Sequence, residues 1–231
     1  MTDIKTRLQE IRAQIPTNVR LVCVSKFHPA EYISEAYANG ERDFGESRAQ
    51  ELMQKIEVLP KDIRWHFIGP LQNNKVKYLV PTTYLIHSVE NEKLLAEIEK
   101  QASKHNVTQR VLLEVHIAQE ESKHGFSEEE LNCFFSEERW KQYPHVEICG
   151  LMGIATLTNN DEETKEEFRT IHNLFNTTKE KYNSESFCEL SIGMSHDFPL
   201  AINEGATMIR VGNAIFGERD YSKKINTIHE N

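Results

Sequence analysis

The sequence predicts an α/β protein that folds as a single (β/α)8 TIM barrel, and three observations support this fold class. Eight short apolar runs rich in Val, Ile and Leu recur along the chain, as expected for parallel strands that are buried on both faces. Stretches with the apolar spacing of amphipathic helices lie between these runs. The length of 231 residues suits one barrel domain better than an open doubly wound sheet with as many strands.

The predicted strands are, in chain order, RLVCVS, RDFGE, RWHFIG, YLIHSV, RVLLEVHI, VEICGLMGIAT, CELSIG and MIRVGNAIFG. Among the predicted helices, NEKLLAEIEKQASKH places Leu94, Leu95 and Ile98 on one face, and acidic residues crowd the helix starts, where the helix dipole favours them. A first helix over 3–15 is expected to close the bottom of the barrel. We expect one domain over residues 1–231, with the barrel ending at Gly217 and no second domain after it.

Composition excludes several classes of protein. The net charge of −9 argues against general nucleic-acid binding, which needs a basic face. No apolar run approaches the roughly 20 residues of a membrane-spanning helix, and the polar start of the chain lacks a signal-peptide core. The four cysteines form no C-x-x-C pair, and no histidine spacing suggests zinc. We therefore expect a cytoplasmic protein with reduced thiols, no membrane segment and no bound metal.

Lys26 directly follows the first predicted strand, and therefore stands at the end of the barrel where active sites lie. A lysine that is desolvated at such a position loses basicity, and a neutral amine forms Schiff bases with aldehydes. The alternative is an ordinary lysine whose ammonium group reaches solvent past the end of the strand.

The segments after the last two strands resemble an anion site. LSIGMSHD runs from a strand through a Gly/Ser turn into a helix, where backbone N–H groups and the hydroxyls of Ser191 and Ser195 could bind a phosphate. Gly212 in IRVGNAIFG offers a second close approach of the backbone. The alternative is a serine that caps a helix beside glycines required for packing.

Arg210 lies inside an apolar run, between Ile209 and Val211. An arginine that points into a barrel must be paired or hydrogen-bonded, because its charge cannot be neutralised. It is therefore either a donor to a ligand or the partner of a barrel carboxylate such as Glu46. Other polar residues at strand ends have two interpretations as well: His66 and His87 as hydrogen-bonded core residues or as catalytic groups, and Glu46 and Asp197 as acid/base groups or as structural partners.

Ordered motifs along nearly the whole chain resemble the pyridoxal phosphate homeostasis protein family. The motifs are VSKFHP, DFGESRAQEL, WHFIGPLQNNKVK, IHSVE, SKHGF, GLMGIAT, LSIGMSHDFPLAI and IRVGNAIFGER. The family is similar to the barrel domain of alanine racemase, and its members bind pyridoxal 5′-phosphate (PLP). The resemblance therefore implies a barrel of the alanine racemase type with PLP as its cofactor.

The resemblance also implies a role for individual residues. Lys26 would hold the PLP aldehyde as a Schiff base, and Arg210 would face the pyridine nitrogen. A guanidinium does not readily give up a proton, so the ring nitrogen would stay unprotonated and the cofactor would be a poorer electron sink. The phosphate would be held by Ser195 with the backbone around Met194, Gly212 and Asn213. The chain departs from the family pattern at Ser47, where asparagine is usual, and at Asn213, which replaces a threonine.

For function, the resemblance implies a monomeric protein that binds PLP and takes part in its intracellular homeostasis without established catalysis. PLP-requiring apo-enzymes are the partners that this role suggests. One alternative is a PLP-dependent enzyme that acts on amino acids, similar to a racemase. A second is a Schiff-base aldolase without PLP, whose phosphate loop would bind sugar phosphates.

Overall fold

The computed structural model describes residues 3–118 and 124–218, and these residues form a closed barrel of eight parallel strands in the order β1 to β8. The strands are β1 (Arg20–Val24), β2 (Asp43–Glu46), β3 (Arg64–Phe67), β4 (Leu85–Val89), β5 (Gln109–Val115), β6 (Val146–Gly153), β7 (Glu189–Ser191) and β8 (Met208–Val211). Each predicted apolar run coincides with one of them, although β5 begins one residue before its run, at Gln109, so the predicted fold class is confirmed.

Helices follow the strands and form the outer layer. They are α1 (Ile4–Arg12), α2 (Ala30–Ala38), α3 (Ala49–Val58), α4 (Asn73–Leu79), α5 (Glu92–His105), α6 (Glu128–Ser136), α7 (Asp161–Tyr182), α8 (Phe198–Asn203) and α9 (Asn213–Phe216), with a 3-10 turn at Arg139–Gln142. No helix in the described ranges is long and apolar enough to cross a membrane.

The barrel closes where the first strand meets the last. Residues 20–23 of β1 pair with residues 208–211 of β8, and the other edge of β1 pairs with β2. Alternate side chains of each strand point to opposite sides of the barrel wall. A large apolar core lies between the wall and the helices, and a smaller apolar cluster with Val22, Leu112 and Met208 fills the interior.

Helix α1 lies in the outer ring, rather than across the bottom of the barrel as the sequence suggested. It buries Ile4, Leu8 and Ile11 in the core and packs against α2 and α9. The physical reason is that its neighbour α9 has only four residues, so that α1 supplies apolar side chains to the core beside it. Only the end of α1 reaches the bottom, where Arg12 pairs with Glu41.

Gly150 marks an irregularity in the wall between β5 and β6. The register of the two strands shifts there, and Gly150 has a φ of 151°. A Cβ at this position would lie 1.8 Å from the carbonyl oxygen of Glu189 on β7, so only glycine lets β6 and β7 approach this closely.

Candidate functional site

Lys26 lies at the carboxyl end of β1, in the turn that follows Val24, and is partly buried. The next residue, Phe27, has a φ of 66°, a left-handed conformation that is uncommon for a residue other than glycine. The guanidinium of Arg48 stacks over the Phe27 ring at 4.5 Å. The backbone around Lys26 is therefore held in a specific turn.

A buried cluster of charges stands on the outer side of the wall behind this turn. The Lys55 ammonium group on α3 donates hydrogen bonds to the carboxylates of Glu46 and Glu51, each at 2.7 Å, and to the backbone carbonyl of Ser25 at 2.9 Å. Burial raises the pKa of Glu46 to about 7, although Lys55 opposes this shift. The cluster brings two carboxyl groups and one cation together away from water.

The same cluster holds both neighbours of Lys26. The Ser25 hydroxyl donates to the Glu46 carboxylate at 2.6 Å, and the Phe27 backbone N–H donates to the Glu51 carboxylate at 2.7 Å. Hydrogen bonds to carboxylates are among the stronger ones in proteins. The position of Lys26 is therefore determined from both sides.

The segments after β7 and β8 meet directly. The backbone N–H of Gly212 donates to the Ser195 hydroxyl at 3.1 Å, and the backbone N–H of Arg210 donates to the carbonyl of Gly193 at 3.0 Å. Asn213 begins α9 immediately after Gly212 and is exposed. The structure thus brings Ser195, Gly212 and Asn213 to one place.

The turn with Lys26 lies against this place. The ring of His28, two residues after Lys26, packs on Phe216 at the end of α9 with ring centroids 5.3 Å apart. Because β1 and β8 are neighbouring strands, Lys26 and Gly212 stand at the same edge of the barrel. The predicted lysine and the predicted anion segments are therefore brought together.

Met194 uses its backbone N–H within its own loop. That N–H donates to the Asp197 carboxylate, which also lies 3.3 Å from the His196 ring. Asp197 thus has a structural partner in this turn. Met194 and His196 also line a cavity of about 380 Å³ at the carboxyl ends of the strands.

Arg210 points into the barrel and is almost completely buried. Its Nη1 donates to the Ser191 carbonyl and to the Ser191 hydroxyl, each at 2.7 Å, and its Nη2 donates to the Gly153 carbonyl at 3.0 Å. Burial lowers the pKa of Arg210 to about 10, which still leaves the guanidinium charged at neutral pH. The ion pair with Glu46 that the sequence allowed does not form, because Glu46 faces α3 on the other side of the wall.

Ser191 begins a line of polar side chains through the barrel interior. Its hydroxyl contacts Nδ1 of His87 at 3.1 Å, and Nε2 of His87 contacts Nδ1 of His66 at 2.9 Å. Nε2 of His66 contacts the Asp43 carboxylate at 3.0 Å. Ser191 is therefore engaged below Arg210 rather than exposed as a phosphate donor, and the two histidines are hydrogen-bonded core residues.

Burial and charge decide the protonation of this line. Burial lowers the pKa of His66 and lowers that of His87 further, so both rings are neutral. Burial would raise the pKa of Asp43, but hydrogen bonds from Arg64 and His66 outweigh it and keep this carboxyl ionised. On the opposite wall, burial raises the pKa of Glu114, and the positive charge of Arg210 limits this rise. Among the described residues, no group of His, Cys, Asp or Glu side chains is arranged to hold a metal ion.

Comparison with known proteins agrees with the motifs. The family model described as alanine racemase, N-terminal domain, matches residues 1–220. A pyridoxal phosphate homeostasis protein of Aquifex aeolicus is 44% identical over 203 residues, which cover 87% of this chain and 88% of the relative. The chain belongs to the pyridoxal phosphate homeostasis protein family.

Solved structures place this family member in the same fold. PipY of Synechococcus elongatus PCC7942, solved without PLP, has a TM-score of 0.88 at 38% identity, and the match covers 93% of this chain and 100% of PipY. PipY with PLP bound has a TM-score of 0.84 at 36% identity over the same shares. Alanine racemase from Bartonella henselae has a TM-score of 0.72 at 14% identity over 96% of this chain and 60% of that enzyme, which is a likeness of fold alone.

Several site residues of this family member escaped sequence reasoning. Glu51 and Lys55 carry the spacing of an ion pair on one helix turn, but that signal does not show that the pair faces the barrel wall. Asp43 and Glu114 lie within strand runs, and the sequence offered no reason to assign a role to either. Their position next to partners from other strands could be found only from the register of the barrel.

The two buried histidines predict a loss of stability in weak acid. Their pKa values lie below the ordinary value of 6.5 in the folded chain, so the unfolded chain binds more protons. The free energy of unfolding should therefore fall as the pH drops below about 6.5, by roughly 1.4 kcal/mol per histidine and pH unit. The change His87→Gln removes one such group and keeps a donor and an acceptor. Urea unfolding at several pH values should show a shallower decline for this variant; parallel curves would contradict a neutral His87.

The charged cluster behind Lys26 predicts that the stability lost on removing Lys55 depends on pH. Lys55→Met leaves two buried carboxylates without their cation and should cost about 3–5 kcal/mol near neutral pH. Below neutral pH a buried carboxyl with a raised pKa takes up a proton that the unfolded chain does not bind, so the loss should shrink as the pH falls toward about 5. Urea unfolding at two pH values measures this.

The matched control is Lys100→Met, which removes a 73% exposed lysine lying 3.6 Å from Glu97. This surface pair should contribute less than about 1 kcal/mol at either pH. Equal losses for the two lysine variants would contradict the role of Lys55.

Proposed function

We propose that this chain binds PLP at the carboxyl end of its barrel and serves intracellular PLP homeostasis. The observation that carries the proposal is the meeting of three loops: the turn with Lys26 packs on the segment after Gly212, whose N–H reaches Ser195. Each part of PLP would find a matching group here. The aldehyde would meet a lysine, the phosphate a closely approaching backbone, and the ring nitrogen a buried arginine. The relative PipY, whose solved structure has PLP bound, supports PLP as the ligand.

Each residue has a distinct part in this proposal. Lys26 would supply the amine that bonds to the cofactor, and the turn held by Glu46 and Glu51 would keep it in place. Ser195 and the backbone at Gly212 and Asn213 would receive the phosphate, with a phosphate oxygen replacing the Ser195 hydroxyl as the acceptor of the Gly212 N–H.

Met194 and Ser191 take other parts. The N–H of Met194 is already bonded to Asp197, so Met194 would contribute its position beside the cavity rather than that N–H. Ser191 would act only through Arg210, because its hydroxyl lies buried beneath that side chain.

The fit is supported by the hydrogen-bonding capacity of Arg210. A guanidinium carries five N–H groups, and the contacts with Ser191 and Gly153 use three of them. For the other two, on Nε and Nη2, the described part of the chain shows no acceptor. A ligand acceptor above Arg210 would satisfy them.

The chemistry of Arg210 also favours a PLP-binding protein without turnover over a PLP-dependent enzyme. Bound PLP supplies an aldehyde that reacts with amines and a ring that can withdraw electrons. Arg210 would donate hydrogen bonds to the ring nitrogen without giving up a proton, which weakens the electron withdrawal that amino-acid chemistry needs. We therefore propose a role without turnover, and the relatives bear the name of homeostasis proteins.

The setting of this role follows from the same proposal. We place it in the cytoplasm, where all four cysteines, which are free thiols in the structure, would stay reduced. The protein would act as a monomer, and PLP-requiring apo-enzymes would be its partners.

The first test concerns the bond to Lys26. Borohydride reduction of the PLP-loaded protein should fix the cofactor, and peptide mapping should place it on Lys26. Lys26→Ala should abolish the fixed adduct, whereas the control Lys75→Ala should keep it. An adduct on another lysine, with Lys26 unmodified, would refute the assignment.

The second test concerns the phosphate. Ser195→Ala should weaken PLP binding by about 2 kcal/mol, roughly thirtyfold, since it removes one hydrogen bond to a charged group. Gly212→Asp should weaken it far more, because it adds bulk and a negative charge beside a dianion. Fluorescence titration measures both, and pyridoxal, which lacks the phosphate, should bind all variants equally weakly. The control is Ser136→Ala on α6; similar affinities of the wild-type protein for pyridoxal and PLP would contradict a phosphate site.

A further inference from the structure

A continuous line of hydrogen bonds crosses the barrel interior from Arg210 to Asp43, through the side chains of Ser191, His87 and His66. Each of the five is at most 5% exposed. The side chains that pack nearby inside the barrel are apolar, among them those of Leu85 and Leu112. Such a buried polar path is costly unless every donor faces an acceptor. This requirement determines which atom of each pair carries the hydrogen.

Asp43, at one end of the line, determines which atom donates and which accepts in each hydrogen bond. An ionised carboxylate only accepts, so Nε2 of His66 must donate to Asp43 across 3.0 Å. In a neutral His66, Nδ1 is then an acceptor. Because Nδ1 of His66 lies 2.9 Å from Nε2 of His87, that nitrogen of His87 must carry the proton.

The remaining hydrogen bonds of the line lead from His87 to Arg210. Neutral His87 with a proton on Nε2 accepts at Nδ1, so the Ser191 hydroxyl donates to it across 3.1 Å. The oxygen of Ser191 is then free to accept from Nη1 of Arg210 at 2.7 Å. All bonds in the line point the same way, from Arg210 toward Asp43.

The opposite tautomer of His87 breaks this arrangement. A proton on Nδ1 would be donated to the Ser191 oxygen, and the Ser191 hydroxyl would lose its acceptor while facing the N–H of Arg210. A buried donor without a partner destabilises the folded protein, because it has lost its hydrogen bond to water and gained none in return. His87 therefore determines whether Ser191 can accept from Arg210.

We propose that His87 and His66 are positioning residues that act through Ser191 to hold the Arg210 guanidinium in the orientation that receives PLP. The inference rests on the proposed function and adds residues that do not themselves touch the ligand. Asp43, held by Arg64 through paired hydrogen bonds at 2.7 and 2.5 Å, is the end that sets the direction of the line.

The direction itself is tested on the wild-type protein without cofactor. Long-range ¹⁵N–¹H NMR of the histidine rings should show both His66 and His87 as neutral rings with the proton on Nε2. His87→Gln and His66→Gln assign the two signals. A proton on Nδ1 of either ring would overturn the proposal.

The positioning role is tested by PLP titration. His87→Leu keeps the volume but cuts the line, and should weaken PLP binding about tenfold and shift the pH midpoint of the bound-cofactor absorbance. His87→Gln, which can accept from Ser191 and donate to His66, should restore both values. Ser191→Ala cuts the line at its last step and should behave like His87→Leu, which gives a second variant if the first does not fold.

Two controls separate positioning from general damage. Leu112→Ala opens a cavity in the same apolar interior and removes no hydrogen bond of the line, so it should lower stability but leave the absorbance midpoint unchanged. In an Arg210→Gln background, His87→Leu should have little further effect on PLP affinity, because the role runs through Arg210.

The outcomes distinguish the two proposals. If His87→Leu behaves like Leu112→Ala, or keeps its full effect in the Arg210→Gln background, the positioning role is wrong while PLP binding stands. If the wild-type protein binds no PLP, the proposed function falls and the positioning role falls with it. The NMR result reports on the hydrogen bonds in either case.

Discussion

The permanent charge of Arg210, placed inside a closed barrel, is the constraint on which the rest of the site depends. A guanidinium cannot be neutralised by losing a proton, so its surroundings must supply acceptors. Ser191 and Gly153 supply carbonyl oxygens from the ends of their strands, and the Ser191 hydroxyl supplies a third acceptor because its own hydrogen is donated in a hydrogen bond to His87. The polar line to Asp43 is thus a consequence of burying one arginine.

The barrel wall separates two groups of hydrogen-bonded polar side chains that have different roles. Inside the wall, the line from Arg210 is made of neutral rings and a hydroxyl, with charges only at its two ends. Outside the wall, Lys55 and two carboxylates form a compact charged cluster behind the turn of Lys26. The alternation of side chains along β2 explains the division, since Asp43 faces inward and Glu46 outward. One short strand therefore contributes to the support of both Arg210 and Lys26.

The sequence alone predicted the features that depend on local pattern. Eight apolar runs gave the strands, and the Gly/Ser turns after the last two runs indicated where Ser195 and Gly212 would meet. Features that depend on register were not accessible, because Asp43, His66 and His87 are partners only through strand alignment. The alternative in which Arg210 pairs with Glu46 could not be excluded for the same reason, and α1 was misplaced because the shortness of α9 is not evident in the sequence.

The seam between β1 and β8 has a consequence for biosynthesis. The first strand leaves the ribosome long before its partner, and its open edge pairs with residues 208–211 only after the seven other strands have been made. Contacts between such distant segments form late, since the loop between them must be ordered first. Until then the nascent chain exposes an apolar edge that invites association with other chains. The turn of Lys26 acquires its neighbour Phe216 in the same last step, so ligand binding and completion of the barrel become available together.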